Sequence, residues 1–272
     1  MAMVELHSRQ RLMRSITVSS LLIVTILIAS FMLANTNLVS DYSAKNLPPS
    51  AAHLFGTDWL GRDMLTRTVK GLRFSMIIGL LGSAIGVLVA VALGIIAAVG
   101  GKKADAVILW LIDMFIGMPH LVFLILISFA AGRGAKGIII GVALTHWPTL
   151  ARLVRNEVKA IQNFEYIKIS ESFGKSRCFI VKNHLFPAIL PQIMVGFLLL
   201  FPHAILHEAS MTFLGFGLSA EKPSVGIILS EAVKHISLGH WWLAVFPGAL
   251  LAILVKSFDS IGESLRFFIA PQ

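Results

Sequence analysis

The chain is 272 residues long; 56% of it is hydrophobic and only 14% is charged. Soluble domains carry about 45–50% apolar and about 25% charged residues, so a mean hydropathy of +0.83 excludes a single water-soluble core. The composition predicts a membrane protein with no separate soluble domain. The single cysteine, Cys178, excludes a disulfide framework.

Six apolar runs suit a transmembrane helix, which needs roughly 20 apolar residues. They lie at Ile16–Ala34, Phe74–Val99, Val107–Phe129, Gly137–Leu153, Ile189–Phe213 and Trp241–Phe258. The first run follows three arginines, as in a signal peptide, but it has no clear A-x-A cleavage site after it. We therefore predict an all-α membrane protein with six transmembrane helices. Gly82 and Gly86 predict a close helix contact in the second span.

An even number of spans places both termini on the same side of the membrane. With both termini inside, 14 of the 23 Lys and Arg residues fall in inner segments and nine in outer ones. The positive-inside rule therefore predicts a multi-pass protein of the cytoplasmic membrane, surrounded by lipid, with both termini cytoplasmic. The net charge of +9 then records topology, and no nucleic acid partner is expected.

A charged stretch precedes the second span. Apolar residues recur at helical spacing through Leu60–Arg73, with charges between them, which predicts a short amphipathic helix on the membrane surface. Asp58 with Arg62 and Asp63 with Arg67 are i,i+4 pairs with the acid first, the favoured order on a helix. A self-paired linker helix and a surface that recognises a partner both fit this pattern.

The largest inner segment, 152–184, combines seven Lys and Arg residues with three acids and scattered apolar residues. A cytoplasmic helical loop that docks on a soluble partner fits this pattern; a plain solvated loop explains the charge but not the apolar residues.

These features divide the chain into two parts. Residues 1–73 hold the first span and an extracytoplasmic segment with the amphipathic helix, and residues 74–272 hold a five-helix core with this loop.

Two partial matches to enzyme motifs fail. Gly174-Lys175-Ser176 resembles the end of a phosphate-binding loop, but the first glycine of that motif would fall on Ile169. His207-Glu208 begins an H-E-x-x-H zinc motif, but its second histidine position holds Met211. We expect no enzyme and no bound cofactor in this chain.

Ionisable groups inside the spans are the candidates for function, because polar groups at membrane depth are costly. They are Asp113, His146, His203, His207 and Glu208. His203 and His207 share one helical face, and neutral imidazoles bind nickel, copper, zinc or iron. We predict this pair as transient metal ligands, with histidines that merely pack between helices as the alternative. Asp113 fits packing or an interhelical hydrogen bond better than substrate binding.

Three segments resemble permease subunits of ABC importers of the dipeptide, oligopeptide and nickel family. Residues 53–63 (HLFGTDWLGRD) are similar to the H-x-x-G-T-D-x-x-G-R-D stretch of that family, residues 151–155 to its A-R-x-x-R, and residues 208–217 to its E-A-x-x-S-F-L-G-x-G. The likeness runs from about residue 50 to the C-terminus. It implies the type I ABC importer permease fold.

The resemblance also implies partners. These are a homologous permease subunit, two cytoplasmic ATPase subunits that bind the ATP, and an extracytoplasmic substrate-binding protein. In that family the loop after the fourth span carries an E-A-A…G…L-P element that couples to the ATPase. Here the E-A-A triplet is replaced by Lys168-Ile169-Ser170. The residues expected to couple are Glu165, Lys168, Ile169, Ser170, Gly174 and Pro187.

The substrate is less sharply defined by these motifs. Residues 145–147 (THW) resemble the S-H-W of nickel-type subunits, and His203-x-x-x-His207 resembles the nickel-type fifth span, whereas Glu208 resembles the general family. We therefore expect import of nickel, free or chelated. Di- or oligopeptide import is the alternative within the family, and an ion channel or secondary transporter is the alternative of another class.

Overall fold

The computed structural model describes residues 2–219 and 223–269. Within these residues the chain forms ten α-helices, and an isolated antiparallel bridge joins Thr57 to Asp63. The helices are α1 (Ala2–Met32), α2 (Met64–Val99), α3 (Lys102–Gly117), α4 (His120–Ala130), α5 (Gly134–Ile161), α6 (Glu165–Ser172), α7 (Arg177–Ile180), α8 (Phe186–Phe213), α9 (Val225–Ile236) and α10 (Trp242–Ile269). A π-helical turn, Val181–Leu185, joins α7 to α8.

Five helical segments of the described residues are long and apolar enough to cross a membrane. They are Leu12–Met32, Met64–Val99, Gly134–Ile161, Arg177–Phe213 and Trp242–Phe268. A sixth crossing is present when α3 and α4 count as one span, although their axes turn by 103°. The predicted all-α membrane fold is therefore confirmed.

Large apolar side chains remain exposed on the outside of the bundle. Phe31 of α1, Leu88 of α2 and Leu126 of α4 are 68%, 70% and 62% exposed. Exposed apolar surface of this kind marks contact with a membrane or another protein. Such faces suit a bundle surrounded by lipid.

The third predicted span, Val107–Phe129, is not a single straight helix. α3 ends at Gly117, Met118 is extended (φ −85°, ψ 145°), and Pro119 precedes the first residue of α4. Proline has no backbone N–H and disfavours helical backbone at the residue before it, so the chain breaks here. Hydropathy alone hides this break because both pieces are apolar.

The predicted surface helix over Leu60–Arg73 is wrong. α2 begins at Met64, where the Asp63 side chain accepts a hydrogen bond from the backbone N–H of Thr66 at 2.8 Å, and it runs unbroken to Val99. The first turns of α2 are largely buried in protein. The division placed at residue 73 therefore falls inside one helix, whose polar residues meet polar groups of the same chain.

α2 and α5 pack closely through small residues. A Cβ added to Gly82 would lie 2.9 Å from Cγ1 of Val142, and one added to Gly86 would lie 3.3 Å from the carbonyl oxygen of Ala143. Side chains larger than hydrogen would push these helices apart. The close contact predicted from the glycine spacing is confirmed.

Two ends of the bundle carry the polar contacts. The end called here the cap side holds residues 41–63, α9 and the start of α10, which meet through contacts such as the Trp242 indole N–H donating to the Thr57 carbonyl. The end called the loop side holds α6, the start of α3 and the end of α5. The long helices α2, α5, α8 and α10 run between these two sides.

Candidate functional site

A cavity of about 470 Å³ lies beside the break between α3 and α4, against α5 and α8. Most of its wall is apolar, and its principal polar groups are imidazoles and threonine hydroxyls. The residues that line it are Phe115, Ile116, Met118, His120, Thr145, His146, Pro148, Thr149, Leu199, Leu200, His203 and His207. The Pro119 break matters here because it starts α4 at the cavity, with His120 as the first helical residue.

Three histidines from three helices meet at this cavity. The ring centroids of His120 and His146 are 4.7 Å apart, those of His120 and His207 4.5 Å, and those of His146 and His207 5.0 Å. One ring nitrogen from each residue lies within 4.8 Å of the other two. We call these three residues the histidine cluster.

His146 is held in one tautomer. Its Nδ1 lies 3.0 Å from the carbonyl oxygen of Val142, an acceptor, so Nδ1 carries the proton and donates it. Nε2 is therefore left with a free lone pair. Among the described residues the buried Nε2 atoms of His146 and His120 have no hydrogen-bond partner. Unpaired buried polar groups of this kind are uncommon and call for a bound water, an ion or a functional role.

The structure regroups the histidines named from the sequence. His203, predicted to pair with His207, is exposed and lines the cavity outside the cluster. His207 instead meets His146 of α5 and His120 of α4. Sequence spacing missed His120 as a partner, because its approach depends on how α4 packs after the break. The one local signal was a histidine directly after Met118-Pro119.

The two acids named from the sequence lie outside the lining of the cavity. Asp113 is 68% exposed and forms an ion pair with Arg152 of α5. Glu208 is fully buried, and its Oε1 accepts a hydrogen bond from the Thr212 hydroxyl at 3.0 Å. Asp113 thus has the interhelical contact that its position suggested.

The A-R-x-x-R motif joins α5 to α3 on the loop side. Arg155 binds Asp105 with two nitrogens, Nη2 donating to Oδ2 at 2.7 Å. Lys159, one turn further along α5, also pairs with Asp105. Together with the Arg152–Asp113 pair, these contacts fasten α3 to α5 over two helical turns, so the two helices are expected to move as one unit.

The 53–63 motif builds a buried ion network on the cap side. Arg67, 3% exposed, donates from Nη1 to Asp58 at 2.7 Å and from Nη2 to Glu231 of α9 at 2.8 Å. Arg62 donates to Asp58 from Nε, also at 2.7 Å. The predicted Asp58–Arg62 pair is present but lies in a turn rather than on a helix. The predicted Asp63–Arg67 side-chain pair is replaced, since Asp63 caps α2 and contacts His53 at 3.1 Å.

Glycine is required within this motif. Gly61 has φ +78°, and a Cβ added there would lie 1.7 Å from the carbonyl oxygen of Asp41. Gly56 has φ +72°, and its added Cβ would lie 2.6 Å from the carbonyl oxygen of Leu47. The two glycines let the backbone fold tightly around Asp58, so the motif is a structural device that holds the cap side together.

The coupling residues expected from the sequence lie in an exposed segment of the loop side. α6 carries exposed Glu165, Lys168 and Ile169, while Ile167 of the same helix is buried in the main core. The Ser170 hydroxyl contacts His184 at 3.1 Å. Gly174, with φ +74° and nothing within 4 Å of an added Cβ, ends the segment in an open turn. Pro187 is exposed in the first turn of α8.

Comparison with known proteins identifies the family. Residues 90–267 match the family described as "Binding-protein-dependent transport system inner membrane component". The dipeptide transport system permease protein DppC of Bacillus subtilis (strain 168) is 34% identical over 251 residues, which cover 92% of this chain and 78% of that protein. The oligopeptide permease protein OppC of the same organism is 33% identical over 237 residues, covering 85% and 77%.

Two further comparisons extend this result. The probable D,D-dipeptide transport system permease protein DdpC of Escherichia coli (strain K12) is 32% identical over 234 residues, covering 85% of this chain and 78% of that protein. Among solved structures, an inward-facing MetNI methionine ABC transporter matches with a TM-score of 0.59 at 19% identity, covering 75% of this chain and 97% of that one. At this identity the structural match shows the fold alone.

The membrane-crossing helical bundle has the type I ABC importer permease fold. The chain belongs to the family of binding-protein-dependent transport system inner membrane components, the permeases of ABC importers.

Proposed function

We propose that this chain is the permease subunit of an ATP-driven importer of short peptides. The observation that carries the proposal is its similarity, over 85–92% of its length, to permease proteins named for dipeptides and oligopeptides. Nickel, the substrate expected from the sequence, has no such support among these relatives. Peptide import, the alternative within the same family, is therefore favoured.

The cavity suits this substrate class. Its volume of about 470 Å³ falls within the range of about 300–1,000 Å³ typical of small-molecule pockets. Apolar walls accept side chains of varied shape, while Thr149 and His203 offer hydrogen bonds to the polar backbone of a peptide. Since His203 is exposed, it meets an entering substrate without prior rearrangement.

The proposed partners are a homologous permease, two cytoplasmic ATPase subunits and an extracytoplasmic substrate-binding protein. The loop side is the cytoplasmic face in this arrangement, which places both termini in the cytoplasm. α6 is the proposed contact with an ATPase subunit: Phe164, Tyr166 and Ile169 are 52%, 44% and 54% exposed. Apolar side chains exposed together beside charged ones favour protein docking.

The proposed coupling runs from α6 to the cavity. Ile167 anchors α6 in the core that also contains Val158 of α5 and Ile189 of α8. A displacement of α6 would therefore be transmitted through this core to α5 and α8, two of the helices that line the cavity. Because ion pairs fasten α3 to α5, the helices would rock as packed units between outward-open and inward-open states.

Uptake by the reconstituted complex tests the proposal. Proteoliposomes that contain both permeases and both ATPases receive labelled dipeptide, or radioactive nickel, with the binding protein outside and ATP inside. We expect ATP-dependent accumulation of the dipeptide. ATP-dependent accumulation of nickel without the dipeptide would reject the peptide assignment, and flux that is independent of ATP would indicate a channel or secondary transporter.

Gly174→Asp tests the coupling segment. A side chain at a positive φ costs about 1–2 kcal/mol, and an added carboxylate changes the exposed turn next to α6. We expect assembly to be retained while peptide-dependent ATP hydrolysis falls at least tenfold. Gly132→Asp is the matched control, because Gly132 also has a positive φ (+102°) and open space. Equal ATPase activity in the two variants would show that Gly174 takes no part in coupling to the ATPase.

A further inference from the structure

The histidine cluster has the chemistry of a metal site rather than of packed side chains. Three histidines that only packed would be expected to pair their ring nitrogens with neighbouring donors and acceptors. Here the Nε2 atoms of His120 and His146 are buried without a hydrogen-bond partner in the described part of the chain. The cost of leaving such groups unpaired is about 1–3 kcal/mol each, and a bound cation would remove it.

We propose that His120, His146 and His207 bind one divalent transition-metal ion at the cavity. Three ligands of a tetrahedral ion at 2.0–2.1 Å lie about 3.3 Å apart. The nitrogens of the cluster are within 4.8 Å of one another, so closing around an ion needs shifts of about 1.5 Å at most. His120 and His207 are only partly buried, and rotations of their side chains supply these shifts.

His146 is the preorganised ligand of the site. Its Nδ1–H donates to the carbonyl of Val142 at 3.0 Å, which fixes the ring and leaves Nε2 available. This is the arrangement that metal-binding histidines use, since the second ring N–H is held by a carbonyl or carboxylate that fixes tautomer and orientation.

The three imidazole ligands determine which class of metal ion the cluster can bind. Neutral imidazoles suit Co²⁺, Ni²⁺, Cu²⁺ and Zn²⁺, whereas Mg²⁺ and Ca²⁺ require oxygen ligands. Neither Glu208 nor Asp113 lines the cavity, so no carboxylate of these two residues joins the imidazoles, and water or a ligand from solution would complete the coordination. An ion here would bridge the first residue of α4 to α5 and α8, and so fix the broken third span against the helices of the pathway.

Cobalt titration of the purified complex tests the site. The complex is isolated with an affinity tag that lacks histidine, stripped with chelator, and titrated with Co²⁺ while visible absorption and metal content are followed. We expect saturable binding of one Co²⁺ per copy of this chain, with the intense d–d bands of tetrahedral coordination. No saturable binding, or bands of octahedral coordination only, would overturn the proposal.

Histidine variants assign the ligands. His120→Gln and His207→Gln are expected to weaken Co²⁺ binding by about 100-fold or more, because loss of an outer-shell partner alone costs 10–100-fold. His240→Gln, outside the cavity lining, is expected to keep wild-type affinity. Loss of binding in His203→Gln with retention in His120→Gln would overturn the three-histidine assignment.

Assembly of the complex and dipeptide transport are measured separately from Co²⁺ binding. Gel filtration of each variant confirms assembly, and His120→Gln and His207→Gln, at partly buried positions, provide a test even where His146→Gln fails to fold. The site is independent of the proposed peptide function: dipeptide uptake without Co²⁺ binding rejects the metal site alone, and Co²⁺ binding without dipeptide uptake rejects the peptide substrate alone.

Discussion

Asp58 on the cap side and His146 at the cavity are both buried, but their polar atoms are satisfied differently. On the cap side, Asp58 accepts from Arg62, from Arg67 and from the backbone N–H of Leu60 at 2.8 Å. At the cavity, the buried Nε2 atoms of His120 and His146 have no partner in the described ranges.

This difference separates scaffold from site. A buried charge such as Asp58, which is paired with several neighbours, holds structural elements together. Removing one of its partners leaves a buried charge that is not compensated. A buried nitrogen that is left unpaired costs stability, and a bound water or ion would satisfy it. Substitutions on the cap side should therefore change folding, whereas substitutions at the cavity should change binding and transport.

Arg67→Ala is expected to have the largest effect on folding. It leaves the buried Asp58 with only one of its two arginine partners and also removes the link to Glu231, so we expect a loss of about 3–5 kcal/mol in the free energy of unfolding. Denaturation of the purified chain in detergent measures it. Lys234→Ala, an exposed residue on α9 near Glu231, is the control, expected within about 0.5 kcal/mol of wild type. Equal stability of the two variants would contradict the network's structural role.

Gly61→Ala is expected to come next. A positive φ alone costs about 1–2 kcal/mol, and the added Cβ also meets the carbonyl of Asp41. Gly239→Ala isolates the first contribution, because Gly239 has a similar φ (+88°) with nothing within 4 Å of an added Cβ. The same detergent unfolding measurement should show Gly61→Ala as clearly the less stable variant. If the two variants were equally stable, the close packing of residue 61 on residue 41 would be wrong.

The smallest expected effects concern the two ion pairs between α3 and α5. Asp105→Asn weakens a two-nitrogen contact with Arg155 that is mostly shielded from solvent, and charged hydrogen bonds contribute about 1.5–3 kcal/mol. Asp113→Asn weakens an exposed pair, for which about 0–1 kcal/mol is expected. Unfolding in low and high salt should separate the two. The reverse ranking would contradict the expectation that the shielded Asp105 contact is the stronger of the two.

Local patterns predicted much of this fold. Apolar runs located the spans because their length is set by the bilayer, and the glycine spacing predicted a close helix contact for α2 but not that α5 is its partner. The 53–63 motif was visible, but its partner Glu231 lies more than 160 residues away in the chain, and i,i+4 spacing suggested a helix where a tight turn exists. That pairing depends on how the helices assemble.

The candidate site was predicted only in part, because it also depends on how the helices assemble. His203 and His207 share a helix face by spacing alone, whereas the approach of His120 and His146 to His207 depends on the packing of three helices and on the break at Pro119. A proline inside an apolar run was the available signal for that break. Its consequence for the cavity required the tertiary structure.

Filling the cavity tests most directly whether it is the substrate pathway. Thr149→Trp places a large ring in the cavity lining, and Leu144→Trp places the same ring at an exposed position of α5 outside that lining. With both complexes assembled in proteoliposomes, we predict that ATP-dependent dipeptide uptake falls more than tenfold in Thr149→Trp and stays near wild type in Leu144→Trp. Wild-type uptake by Thr149→Trp would contradict the account.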